Sequence, residues 1–103
     1  MSINTILDER QQTHGDFSIH ARVTQGIKHT IVMWSTKELD VEQQEALDMI
    51  AHKIGRIVAG NPNHKDHWYD IAGYATLVSR ALEDSAVVDM PASTSAAYAE
   101  EEA

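Results

Sequence analysis

Glu45, Asp48 and His52 stand at i, i+3 and i+7. On a helix they share one side, within about 60° of arc. Asn63, His67, Asp70 and Tyr74 repeat the habit at i, i+4, i+7 and i+11. Carboxylates converging from two such stripes suit a hard cation such as Mg²⁺. Glu45, Asp48 and Asp70 are then the metal-ligand candidates, and His67 and His52 can orient or deprotonate a water. A zinc set of His52, His67 and Asp48 is weaker, because no H-E-x-x-H spacing is present. Acids at i, i+3 are also common on solvated helix faces, and that plain reading competes with the metal site.

A second cluster is basic and lies near the N-terminus: Arg10, His14, Gly15, Asp16, His20 and Arg22. Gly15 allows a tight turn, and the helix start that follows offers backbone N–H groups to an anion. Arg10 and Arg22 can make bidentate contacts with phosphate. Lys53 and Arg56 further along, with His14 and Tyr74, complete the candidate ligand-binding set. The competing account makes these cations i, i+4 partners of helical acids. Walker A, dinucleotide and nucleophile-elbow motifs are absent, and serines fall mainly at caps or near the C-terminus, so a Ser–His–Asp triad has no basis.

The elements that must hold these residues read as helices throughout, and the fold class expected is all-α. Ser2 to about Gln12 forms a short helix, interrupted at Thr13-His14-Gly15-Asp16. Asp16 caps a second helix with a stripe of Phe17, His20, Thr24, Ile27, Ile31 and Trp34. Asp40 caps a third, about Val41 to Ala59, burying Leu47, Ile50, Ala51, Ile54, Ile57 and Val58. Gly60-Asn61-Pro62 stops it. Asn63 caps a fourth, about His64 to Glu83, with Trp68, Ile71, Ala75, Val78 and Leu82 as its apolar stripe. Gly55 and Gly73 sit inside helices, where each permits a close helix crossing or a close ligand. Residues 1–84 read as one all-α domain and 85–103 as a disordered acidic tail.

The chain has 103 residues and a formal charge of −8. From Asp84 to Ala103 there are five acids (Asp84, Asp89, Glu100, Glu101 and Glu102) and no Lys or Arg, so residues 1–83 hold eleven acids against eight bases, a net of −3. This balance disfavours nucleic acid. Cysteine is absent, which removes disulfides and thiolate chemistry. No apolar run approaches the roughly 18 residues of a membrane span, and the first residues lack a secretory pattern. A cytoplasmic protein with no membrane association is expected. A chain this short buries a limited core alone, so a homo-oligomer is expected to complete it.

The run Glu45-Ala46-Leu47-Asp48-Met49-Ile50-Ala51-His52-Lys53-Ile54-Gly55-Arg56-Ile57, followed by Asp66-His67-Trp68-Tyr69-Asp70-Ile71-Ala72-Gly73-Tyr74-Ala75, resembles small phage and prophage proteins of uncharacterised function. Thr13-His14-Gly15-Asp16-Phe17 resembles the same group, and the likeness covers about residues 5 to 83. More distantly, the helix pair is similar to all-α MazG-like nucleoside triphosphate pyrophosphohydrolases. Their E-x-x-E and E-x-x-D pairs hold Mg²⁺ on a triphosphate. The matching positions are Glu45 and Asp48, then His67 and Asp70, with His67 replacing a family carboxylate. The resemblance implies a nucleotide or other phosphorylated small molecule as ligand. It also implies Mg²⁺-assisted hydrolysis to nucleoside monophosphate and pyrophosphate. The lost carboxylate favours the alternative: a non-catalytic protein that sequesters a signalling nucleotide or modulates a host protein, as in phage counter-defence.

Overall fold

In a computed structural model, which describes residues 2–89 and the side chains as far as Ser85, the chain is four helices: α1 (Ile3–His14), α2 (Phe17–Trp34), α3 (Val41–Ala59) and α4 (Lys65–Asp89). No strand occurs among the described residues. The all-α expectation holds. No helix is long and apolar enough to cross a membrane among them.

Local punctuation sets most boundaries. Ser2 caps α1, its hydroxyl accepting from the Thr5 N–H. Asp16 caps α2 by accepting from the N–H groups of Ser18 and Ile19. Asp40 and Gln43 close a capping box at α3, each side chain accepting from the other's backbone N–H. At α4 the cap differs from expectation: Asn61, not Asn63, turns the chain, its Oδ1 accepting from the Asn63 N–H at 2.9 Å. The helix then begins at Lys65 and runs to Asp89, past the expected end at Glu83. Residues 90–103, most of the segment expected to be a disordered tail, lie outside the described residues.

α3 is the hub. It packs against α2 on one flank and α4 on the other, while α1 lies across the α2–α3 end. Small residues bring α2 and α3 together: Ala51 and Gly55 of α3 are buried, as is Thr24 of α2, whose hydroxyl reaches the Ala51 carbonyl at 3.5 Å. A Cβ added at Gly55 would stand 2.5 Å from Thr24 Oγ1 and closer still to the His20 ring. Of the two roles expected for mid-helix glycines, Gly55 serves the helix crossing. At Gly73 an added Cβ would meet nothing within 4 Å among the described residues.

The expected apolar stripes lie on the packed sides but are unevenly covered. Leu47, Ile50, Ile54, Ile57, Ile71 and Val78 are half-buried. Phe17 and Trp34, expected inside, are 78% and 74% exposed, and Val58, Trp68, Ala75 and Leu82 are also exposed. Three helices side by side make one layer. A buried stripe normally needs a second.

Candidate anion-binding site

The turn after α1 builds the site. Gly15 adopts φ 81°, a left-handed conformation that suits glycine, and its N–H returns to the Gln11 carbonyl at 2.8 Å. A Cβ on Gly15 would fall onto the backbone of Ala59 and Gly60, and one on Gly60 would stand 2.5 Å from the Thr13 carbonyl oxygen. The ends of α1 and α3 therefore meet backbone to backbone, joined by the Asn61 N–H donating to the Thr13 carbonyl at 3.2 Å. His67 pins the same corner from α4. Its ring is 2% exposed and Nε2 donates to the Thr13 carbonyl at 2.8 Å. The His14 and His64 rings stand edge-on to it, with centroids at 5.3 and 4.6 Å.

This docking swings Arg10 and His14 of α1 over Arg56 and His52 of α3. With Leu7, Gln11, Gly15, Asp16, Phe17 and His20 they line a cleft of about 620 Å³, inside the roughly 300–1,000 Å³ range of small-molecule sites. Its polar walls are strongly basic. Arg56 Nε is buried with no hydrogen-bond partner among the described residues, and so is His20 Nε2. Burial, then the charge of Arg10, lowers the pKa of Arg56, with Asp70 and Tyr74 opposing. Burial also leads in lowering His14 to about 4, followed by the charges of Arg56 and Arg10. His20 is lowered by burial, against a hydrogen bond to the His52 backbone that raises it, and then by Arg56. His52 is lowered by burial, then by Lys28 and Arg56. A buried guanidinium donor and crowded positive charge await an acceptor.

The cleft carboxylate, Asp16, is spent on the α2 cap: its Oδ1 accepts from Ser18 and Ile19 at 2.9 and 3.2 Å. The helix start expected to offer those N–H groups to an anion has them already satisfied. Side-chain cations and imidazoles supply the site's donors instead.

The remaining candidates are placed apart. Lys53 is 8% exposed and donates to Asp70 Oδ2 at 2.9 Å. That hydrogen bond, with the charges of Lys53 and Arg56, holds the Asp70 carboxyl below its ordinary range against the effect of burial. Asp48 accepts from Gln44 Nε2 at 3.1 Å, and Glu45 is exposed. Among the described residues no three His, Asp or Glu side chains are grouped to hold a metal. Glu45, Asp48 and Asp70 thus do not fit Mg²⁺ as one set within this chain. Arg22 is exposed on α2 and does not line the cleft, Tyr74 borders a groove on α4, and His67 serves the α1–α4 corner. Phe17, placed in the core by its spacing, instead walls the cleft, 6.2 Å edge-on from the His20 ring.

Fold and site define a small all-α protein with a basic cleft at the junction of three helices. A family model described as Domain of unknown function (DUF6378) matches residues 2–82, and the chain belongs to that family. No curated protein and no solved structure matches the chain.

Proposed function

We propose that the protein binds a phosphorylated small molecule, of the nucleotide class, in the Arg10–His14–His20–His52–Arg56 cleft. It holds this ligand without hydrolysing it. The observation that carries the reading is Arg56 Nε, a guanidinium donor buried beside a second arginine with no acceptor among the described residues. Phosphoryl oxygens satisfy that donor and offset both charges, through charge-assisted hydrogen bonds stronger than neutral ones. His20 Nε2 lies in the same wall, buried and without a partner among the described residues. Phe17 and Leu7, exposed in the cleft wall, give a base an apolar platform. The role proposed with it, sequestering of a signalling nucleotide in a host cytoplasm, rests on the resemblance to phage and prophage proteins expected from the sequence. The acting unit is a homo-oligomer, because Ala46 and Ala51 are the buried apolar side chains among the described residues.

The test is thermal shift and calorimetry with pyrophosphate, AMP and ATP, each in EDTA and in Mg²⁺. Binding in EDTA, without pyrophosphate release, is the expected result. Arg56→Gln weakens it about 10- to 100-fold, the worth of a hydrogen bond to a charged group. Binding that requires Mg²⁺ and releases pyrophosphate from ATP would overturn the reading in favour of a MazG-like hydrolase using Glu45, Asp48 and Asp70.

A further inference from the structure

α4 turns His67, Ile71 and Val78 inward, all buried or half-buried, with half-buried Tyr74 at the edge between the two sides. Its opposite side carries Asp66, Tyr69, Gly73, Leu77 and Arg80, all exposed, at steps of three and four residues. Tyr69 is 71% and Leu77 62% exposed, and with Ala72, Gly73, Thr76 and Arg80 they border an open groove. The stripe is symmetric about Gly73. Tyr69 lies four residues before it and Leu77 four after; Asp66 lies seven before and Arg80 seven after.

A two-fold axis through Gly73, with two α4 helices antiparallel, converts that symmetry into complementarity. Each Tyr69 ring meets the partner's Leu77, and each Asp66 meets the partner's Arg80, about 10 Å along the helix from the axis. A residue paired with its own copy at those positions would set like charges together; only the antiparallel register pairs opposite ones. The two glycines then face each other at the crossing. Among the described residues nothing lies within 4 Å of a Cβ added at Gly73, so their packing gives no reason for a poor helix former in mid-helix. A close approach by a second backbone does give one.

We propose that the protein is a two-fold dimer through the outer face of α4, crossing at Gly73. This deepens the reading of the chain as a homo-oligomer by fixing its surface and register. The occupant is a second copy, since both the charge and the shape of the stripe match the stripe itself.

The chain has no cysteine, which makes cross-linking direct. Light scattering of the wild type tests oligomerisation alone; twice the chain mass of 11.4 kDa is expected, and a monomer at micromolar concentration overturns both readings. Under mild oxidation Gly73→Cys forms a covalent dimer. Tyr69→Cys and Leu77→Cys do not cross-link alone but do when mixed, because two copies of one position sit about 12 Å apart along the axis, beyond disulfide reach. An oligomeric wild type whose Gly73→Cys stays uncrosslinked, or whose Tyr69→Cys links to itself, overturns the proposed register and spares oligomerisation. Asp66→Arg and Arg80→Asp each raise the dimer dissociation constant about tenfold, with unchanged helical circular dichroism, and the double variant restores it. Failure of the double variant to restore dimerisation, with helical content intact, also counts against the register.

Discussion

Asp70 illustrates how a side chain's partner, more than its type, fixes its part. Spacing puts it on a stripe with His67 and Tyr74, yet what it meets is the buried ammonium of Lys53. Removing one member of such a pair leaves the other buried and uncompensated. Asp70→Asn should therefore lower the melting temperature equally in EDTA and in Mg²⁺; a loss confined to Mg²⁺ would mean a metal ligand. His14 makes a second claim, about pH. Its folded pKa of about 4 lies below the ordinary histidine value of 6.5, so between those limits the unfolded chain takes up a proton that the fold refuses. Its contribution to stability is complete above about pH 6.5 and declines as pH falls toward 4. A bound phosphate reverses the preference by stabilising the imidazolium. Apo melting temperature should fall on acidification through this window while phosphate affinity rises, and melting curves with and without pyrophosphate read both slopes.

At the scale of the element, two devices hold the helices in register, and each can be removed singly. Asp40→Ala deletes one half of the α3 capping box and should cost about 0.5–2 kcal/mol, measured by urea denaturation. Gly55→Val pushes a branched side chain into Thr24 and His20. Overpacking of this kind costs about 1–3 kcal/mol, and here it also parts α2 from α3. Because His20 is both the obstacle and a cleft wall, Gly55→Val should weaken ligand binding as well as stability. Asp40→Ala, remote from the cleft lining, should leave affinity unchanged.

Over the whole molecule the controlling fact is thickness. α3 lies between α2 and α4, α1 covers one end, and large apolar side chains at Trp34, Trp68, Tyr69 and Leu77 remain exposed. Among the described residues the cleft forms where α1 adds a second layer over the ends of α2 and α3. Its integrity depends on the Gly15–Gly60 contact. Gly15→Ala combines a backbone conformation that essentially only glycine adopts, worth about 1–3 kcal/mol, with a backbone collision. It should loosen α1 and abolish phosphate binding while α2 to α4 keep their helical signal, which circular dichroism beside calorimetry would reveal.

The sequence by itself determined the four helices and the punctuation of the first three: Asp16, Asp40 and Gly60 act on the backbone within a few residues, so their effect is legible without knowing the fold. It also showed which residue types were available for phosphate. Tertiary structure decided which of them meet. Arg10 and Arg56 are brought together by two glycine backbones in contact, a pairing that no periodicity encodes. Lys53, close to Asp48 and His52 in sequence, captures Asp70 because α4 lies on that side of α3. Phe17 and Trp34 obey the spacing of a buried stripe, but spacing marks only a direction on a helix. Whether anything covers that direction depends on the layers above it, and within one chain α1 reaches only the end that carries the cleft.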